Sequence, residues 1–575
     1  MDNLAIARVL TEIGDLLEIK GENPFKIRAY RNAAETIVHE PAPLAMMSAT
    51  ERLALPGVGR DLAAKIGELL ERGAINYHQQ LLEQFPPTVL DLLHLQGVGP
   101  KTVARLYGDL GIRTLDDLER AARDGRIRGM KGMGAKKEAL ILQALEEQRR
   151  FTGRRLAVEA HDTAAALVGA LREQAPGAEI VIVGSLRRGC ETCGDLDILA
   201  AVADDATSAL LMDAFARYRL VERILAHGET KSSVRLWGGF QADLRIVPRD
   251  SLGAALQYFT GSKAHNIALR DRAIQRGLKL NEYGLYRVED ESRIAGDDEA
   301  GVYAALGLGF VAPELRENRG EIEAAEAGTL PALLQLQDLQ GDLHAHTTAT
   351  DGRDSIEAMA HAAQAAGLRY LAITDHSQSL AMANGLDERR ALAHADAIRD
   401  VNARLEGFTL LAGIECDIRP DGSMDLADDC LAELDLVIAS IHSGFNQDGA
   451  AMTDRLLRAI ACPWVDILGH PTGRIILKRE PHKADMTRVI EAAAAAGVAM
   501  EINAQIDRLD LDDTLARRAR DAGARIVVST DAHSTTALGR LRWGVTVARR
   551  AWLTPADVLN TRPVGELRGS LRRRS

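Results

Sequence analysis

Residues 183–199 read Val-Gly-Ser-Leu-Arg-Arg-Gly-Cys-Glu-Thr-Cys-Gly-Asp-Leu-Asp-Ile-Leu, and the fold around them turns on how this stretch is read. An apolar run, Glu179–Val183, predicts a buried strand ending at Gly184-Ser185. A polar excursion carrying Arg187 and Arg188 follows, and Asp195-Leu196-Asp197 opens a second strand, DLDILAAV. Side chains alternate faces along a strand, so Asp195 and Asp197 point the same way. Two adjacent carboxylates repel unless a cation lies between them, and Mg²⁺ takes such hard oxygen ligands together with water and substrate phosphates. Gly184 and Ser185 offer backbone N–H and a hydroxyl, and the two arginines offer forked donors to phosphate oxygens. The stretch reads as a site for a metal-bound polyphosphate.

Downstream, Lys231–Trp237 and Phe240–Val247 flank Gly238-Gly239 as a hairpin. Alternation puts Gln241, Asp243 and Arg245 on one face of the second arm, so Asp243 can join the first two as a third carboxylate. Three carboxylates can hold two Mg²⁺ ions. At 575 residues the chain should hold three or more compact units. Aromatic residues make up only 4%, so the cores must be aliphatic. A net charge of −12 excludes indiscriminate nucleic-acid binding, and any DNA contact has to be local. Five scattered cysteines give no disulfide framework and fit a reducing cytoplasm. No leader pattern and no long apolar run occurs, so the expectation is a soluble cytoplasmic protein with no membrane partner.

The first 150 residues read as helices broken by glycine turns. Leu55-Pro56-Gly57-Val58-Gly59 runs into RDLAAKIGELL, and Leu95-Gln96-Gly97-Val98-Gly99 into PKTVARLYGDL. A weaker copy, Met130-Lys131-Gly132-Met133-Gly134, runs into AKKEALILQAL. Such a turn aims free backbone N–H groups outward from a helix N-terminus, which suits one phosphate at a time. A single copy is no more than a tight turn; three copies resemble helix-hairpin-helix elements, which grip the DNA backbone without reading sequence. Lys65, one turn into the first helix, is either a solvated lysine or an amine placed to form a Schiff base with an abasic sugar. Lys26, among Phe25, Arg28, Tyr30 and Arg31, either holds a 5′ phosphate or starts an amphipathic helix.

Gly-Ser-x-Arg-Arg-Gly-x₄-Gly-Asp-Leu-Asp, the later Asp243-Leu244-Arg245 and Tyr258-Phe259-Thr260-Gly261-Ser262 together resemble the family X DNA polymerases. The resemblance implies metal binding and catalysis by Asp195, Asp197 and Asp243, with Asp243 the base at the primer hydroxyl. It gives the nucleotide to Gly184, Ser185, Arg188, Gly194, Tyr258, Phe259 and Asn266. It gives DNA to Lys26, Lys65, Arg270 and the turns at Gly57, Gly59, Gly97 and Gly99, and makes Lys65 the lyase lysine. Asp61 departs from it, standing where the family's animal member carries a phosphate-binding lysine. Cys190 and Cys193 form a C-x₂-C with no second pair and read as filler.

From Asp338 the composition changes: nine of the fifteen histidines fall in 338–575. Six of them sit in short motifs after strand-like runs: His344 and His346, His376, His442, His470 and His533. Asp351, Glu415 and Asp531 accompany them, and helical segments separate the runs. Repeated β-α units with polar groups at the strand C-terminal ends describe a barrel with its site on that face. A mixed His/Asp/Glu set suits Zn²⁺, Mn²⁺ or Fe²⁺ rather than Mg²⁺ alone. His361, His394 and His482 fall outside these motifs and read as surface. The segment resembles the PHP (polymerase and histidinol phosphatase) domain, which implies that all nine residues bind metal, up to three Mn²⁺ or Zn²⁺ ions. Arg474, just after the His470 motif, is the candidate for the substrate phosphate.

The expected fold is multidomain: a helical helix-hairpin-helix N-terminal part, an α/β (α+β) nucleotidyltransferase palm with thumb, and a distorted β/α barrel. The segments run 1–85 (helical DNA-binding domain), 86–150 (helix-hairpin-helix fingers), 151–252 (palm), 253–318 (thumb), 319–337 (linker) and 338–575 (PHP). The expected function is gap-filling DNA synthesis in repair, such as base excision repair, with 3′→5′ exonuclease in the PHP domain. The expected partners are dNTPs, Mg²⁺ and gapped or primer–template DNA with 5′-phosphate ends, met by a monomer. Two alternatives remain: mainly a nuclease or abasic-site endonuclease with weak polymerase, or a DNA-end-binding scaffold.

Overall fold

The computed structural model describes residues 3–571 except 41–43, 87, 96–97, 131–132 and 152. The chain divides into two compact units, Met1–Thr152 and Gly153–Ser575. The first unit is helical. Helices Asn3–Lys20 and Pro24–His39 pack on each other, and their apolar stripes meet Leu62, Ile66 and Leu69 of the helix Arg60–Arg72 in one core. A second core gathers Val103, Leu106, Leu118 and Ile141 around the helix Pro100–Leu110.

The helix Ala157–Gln174 comes early in the second unit. A five-stranded sheet follows: β1 (Glu179–Ile182), β2 (Asp195–Val202), β3 (Val221–His227), β4 (Lys231–Leu236) and β5 (Gln241–Pro248), in the order β1-β2-β5-β4-β3. Only β2 and β5 run parallel. Strand β3 has no counterpart in the sequence reading, because it is exposed almost throughout and lacks alternation. The thumb adds β6 (Leu278–Asn281), β7 (Gly284–Arg287) and β8 (Arg293–Ala295) under the helices Leu252–Thr260 and Lys263–Gln275. The helix Glu321–Ala327 of the segment read as a linker packs on this core through Ile322 and Ala325.

The last part is a seven-stranded parallel sheet in sequence order: β9 (Gly341–Asp342), β10 (Tyr370–Ile373), β11 (Thr409–Asp417), β12 (Leu436–Ser440), β13 (Ile467–Leu468), β14 (Ala499–Asn503) and β15 (Ile526–Ser529). A parallel bridge between Ala345 and Ala532 joins its two ends into a barrel. Alternation explains the filling: Tyr370 and Ala372 pack inward with Leu411, Ile438 and Val527, whereas Leu371 and Ile373 join the core under the outer helices.

One buried charge cluster ties the palm to the thumb. Arg187 grips Glu299 with both Nη atoms, at 2.9 and 2.8 Å, and Arg316 reaches the same carboxylate at 2.5 Å. Arg316 is fully buried and also donates to the Val311 carbonyl. Glu299→Ala strands two guanidinium groups and should cost about 3–5 kcal/mol, the price of an orphaned buried charge. Thermal unfolding should then show an early transition assignable to palm and thumb, and an unchanged melt would contradict this role.

Candidate functional site

The palm site is assembled by register. In the parallel pair β2/β5, Asp197 lies opposite Asp243 and Asp195 opposite Gln241, so three carboxylates share one face. Gln241 donates to Asp243 Oδ1 at 3.0 Å, and Lys231 Nζ lies 3.7 Å from Oδ2. Gly184 has φ +68°, and a Cβ there would stand 2.1 Å from Asp197 Oδ2, so only glycine lets the turn close on the carboxylate. Burial, reinforced by Asp195 and Asp243, pushes the Asp197 carboxyl up to about 6 against the pull of Arg188 and Arg245. Crowded acids of this kind are the electrostatic mark of a cation site.

A cleft of about 450 Å³ opens over this face. It is lined by Gly184, Ser185, Arg188, Asp195, Asp197, Tyr258, Phe259, Asn266 and Arg270, and further by Thr260, Gly261 and Lys263. Gly194 and Asp243 lie outside that lining. Tyr258 and Phe259 meet edge to face at 5.1 Å, and Asn266 Nδ2 donates to the Tyr258 carbonyl at 2.7 Å. Of the two arginines offered to phosphate, Arg188 reaches the cleft while Arg187 is committed to Glu299. Sequence alone could not separate them, since neighbours on a short helix point apart. Lys263 was missed; the cation directly following Gly261-Ser262 at a helix start was its only signal.

In the barrel, all nine expected residues converge at the strand C-terminal ends. They form three overlapping groups: His346, Asp351, His376 and His533; His344, His346 and Asp531; His376, Glu415 and His442. His470 joins through Nε2, 2.8 Å from Glu415 Oε1. His344 Nε2, both ring nitrogens of His346, Glu415 Oε2 and Asp531 Oδ1 are buried without a hydrogen-bond partner. Orphaned imidazole and carboxylate atoms aimed at one another fit shared divalent ions better than any protein partner. Burial alone would raise Glu415, yet the imidazoles of His442, His344 and His376 carry it well below the usual carboxylate range.

Supporting acids fix the rings. Glu501, fully buried in β14, accepts from His344 Nδ1 at 2.8 Å and from the His470 amide at 2.6 Å. Asp417 pairs with His442 Nδ1 at 3.2 Å. Such partners fix the orientation of the ring nitrogens. Glu501 was missed, although it is the one charge in the apolar run AMEIN. Two histidines read as surface are not: His394 bonds buried Asp375 at 2.8 Å, and His482 bonds the Pro471 carbonyl at 2.9 Å. Arg474, the expected phosphate ligand, instead reaches Glu191 and the Arg508 carbonyl at 2.6 and 2.9 Å. Arg508 keeps a buried Nη1 without a partner, and its charge depresses His470 after burial does.

In the first unit, Gly57 has φ +74°, while Gly59 and Gly99 cap the helices Arg60–Arg72 and Pro100–Leu110. Gly97, Lys131 and Gly132 lie outside the described residues. Lys26 Nζ donates to Tyr77 at 2.7 Å. Lys65 pairs with Asp61 and lies over the rings of Tyr30 and Tyr77. Burial would lower Lys65, but Asp61 and Tyr30 outweigh it and hold the ammonium above its ordinary value.

Comparison with known families follows the same partition. Residues 1–75 match a helix-hairpin-helix domain and 89–147 a helix-hairpin-helix tandem. Residues 157–236 match the DNA polymerase beta palm, 255–317 the DNA polymerase beta thumb, and 342–505 the PHP domain. The DNA polymerase/3′-5′ exonuclease PolX of Bacillus subtilis (strain 168) is 37% identical over 99% of this chain and 99% of its own length. The chain belongs to the PolX family.

DNA polymerase lambda of Rattus norvegicus is 29% identical over 49% of this chain and 49% of that protein. A "Probable phosphatase" of Thermoanaerobacter sp. (strain X514) is 30% identical over 40% of this chain and 94% of its own length. Asp195 and Asp197 fall within the palm match, and His344, His346, Asp351, His376, Glu415, His442 and His470 fall within the PHP match. Among the described residues no helix is long and apolar enough to cross a membrane.

The proton on Asp197 competes with a metal ion. Half-saturating Mg²⁺ for primer extension should be level above pH 6 and rise about tenfold per unit below it. A flat dependence down to pH 5 would contradict the crowded-carboxylate reading.

Proposed function

We propose that the protein fills gaps in DNA by templated nucleotidyl transfer in the palm and trims 3′ ends in the barrel, in DNA repair. The observation that carries this is the coexistence of two unlike ligand sets in a PolX-family chain: three carboxylates beside a nucleotide-sized cleft, and a His-rich cluster of buried, unpartnered atoms. Asp195, Asp197 and Asp243 would hold Mg²⁺, and the nine barrel residues would hold up to three Mn²⁺ or Zn²⁺ ions. When bound, divalent ions supply Lewis acidity at phosphate oxygens and lower the pKa of an attacking hydroxyl or water.

The chain's own groups do the rest. Asp243 is the base at the primer 3′ hydroxyl; Lys231 and Gln241 keep it oriented. Gly184, Ser185, Arg188 and Gly194 receive the triphosphate, and Tyr258 and Phe259 pack under the sugar, held by Asn266. Arg270 reaches toward the template from the cleft rim. In the barrel, Arg508 rather than Arg474 supplies the free guanidinium N–H for the scissile phosphate. The N-terminal turns hold the DNA backbone, and Lys26 the 5′ phosphate. Lys65, kept charged by Asp61, binds phosphate and is a poor Schiff-base amine. The working molecule is a cytoplasmic monomer, with segments 1–85, 86–150, 151–252, 253–318, 319–337 and 338–575 as its parts.

Asp197→Ala should abolish dNTP incorporation on gapped DNA, by about a thousandfold or more, and leave primer degradation within about twofold. His344→Ala should do the reverse. If either substitution removed both activities from a folded protein, the two-site account would fail. Degradation without incorporation in both Mg²⁺ and Mn²⁺ would favour the nuclease alternative. DNA binding with neither activity would favour the scaffold.

A further inference from the structure

The loop Arg188–Glu191 leaves the nucleotide cleft and is gripped by the barrel domain along its length. Arg550 ends the helix Leu541–Arg550 and donates through Nη1 to the Arg188 carbonyl at 2.7 Å and to Glu317 Oε1 at 3.0 Å. That same oxygen accepts the Arg188 Nε–H at 3.0 Å. Gly189 faces Thr546 one turn earlier on that helix: a Cβ there would stand 2.3 Å from Thr546 Cγ2, and φ is +69°. Glu191 Oε2 accepts from Arg474 Nη2 at 2.6 Å. On its other side Arg550 pairs with Asp513 at 2.9 Å, and Asp513 pairs with Arg319 at 2.9 Å. Charges therefore alternate from Arg188 through Glu317, Arg550 and Asp513 to Arg319, with Arg550 only 9% exposed at the centre.

Arg188 donates Nη1 to the Thr260 carbonyl at 2.6 Å, its Nη2 lies 3.8 Å from Cys190 Sγ, and the residue lines the cleft. A guanidinium recognises phosphate by a fixed planar fork, so its orientation matters as much as its charge. Glu317 supplies the orientation but is a carboxylate next to where an anion must bind. Arg550 answers both problems, because it pins the Arg188 backbone and neutralises Glu317.

We propose that Arg550, carried by the barrel domain, is a positioning residue of the polymerase site. It holds Arg188 in the geometry that receives the dNTP triphosphate and screens Glu317 from that anion. The domain bearing the second active centre is in this way part of the first centre's nucleotide site. The inference rests on the reading of Arg188 as a triphosphate ligand.

The test is steady-state incorporation on single-nucleotide gapped DNA by the full-length protein. Arg550→Ala should raise the dNTP KM about tenfold while kcat changes less than about threefold. Arg550→Lys, which keeps the charge and loses the fork, should raise KM about threefold. Adding Glu317→Gln to Arg550→Ala should bring KM part of the way back, because it removes the unscreened charge; a merely structural role predicts no such recovery. Arg188→Ala should raise KM by itself, and Arg550→Ala should then add little. If Arg188→Ala left KM unchanged, the nucleotide reading itself would fall. If Arg188→Ala raised KM while Arg550→Ala left it within about twofold, this inference alone would be overturned. Should Arg550→Ala not fold, an unchanged KM in Arg550→Lys overturns it equally.

Discussion

Crowded, buried charge is the constraint on which both sites of this chain turn. Adjacent parallel strands put Asp197 beside Asp243, with Asp195 two residues away on the same face. Among the described residues no cation pairs with all three: Lys231 lies 3.7 Å from Asp243, and Arg188 and Arg245 offset only part of the rise at Asp197. Burial first, and then Asp195 and Asp243, raise the Asp197 carboxyl. In the barrel the same problem is solved with a different chemistry: imidazoles surround Glu415 and Asp531, yet several ring nitrogens remain buried and unpartnered. The donor sets are unlike, all oxygen in the palm and mixed nitrogen and oxygen in the barrel, a difference that suits hard cations in one and borderline cations in the other.

The folds place those charges economically. Strand pairing in the palm needs one parallel neighbour to bring a third carboxylate across from more than forty residues away in sequence. The barrel collects its ligands because every parallel strand ends on the same face, so short motifs far apart in sequence meet. Between them, buried arginines do the joining: Arg187 and Arg316 share Glu299, and Arg188 and Arg550 share Glu317. Buried salt bridges are weak evidence of stability but strong determinants of geometry once formed.

What could be read in the sequence was whatever depends on local period and spacing. The strand DLDILAAV and the opposed Asp243 follow from alternation, and the structure pairs them as that pattern implies; the nine barrel residues come from the family resemblance, and the structure brings them close together. What could not be read depends on partners distant in sequence. Arg187 and Arg188 look equivalent until Glu299 claims one of them. Arg474 follows a ligand motif, yet its guanidinium turns to Glu191. Glu501 and Arg508 carry no motif, and only their surroundings mark them. The exposed strand β3 lacks the alternation that burial would impose.

The central claim, two metal centres on separate ligand sets in one chain, is tested most directly by anomalous diffraction from crystals soaked with Mn²⁺ and a non-hydrolysable dNTP. The expected map has manganese among Asp195, Asp197 and Asp243, and separate peaks, up to three, within the cluster of His344, His346, Asp351, His376, Glu415, His442, His470, Asp531 and His533. Manganese confined to one centre, or bound outside both sets, would contradict the account.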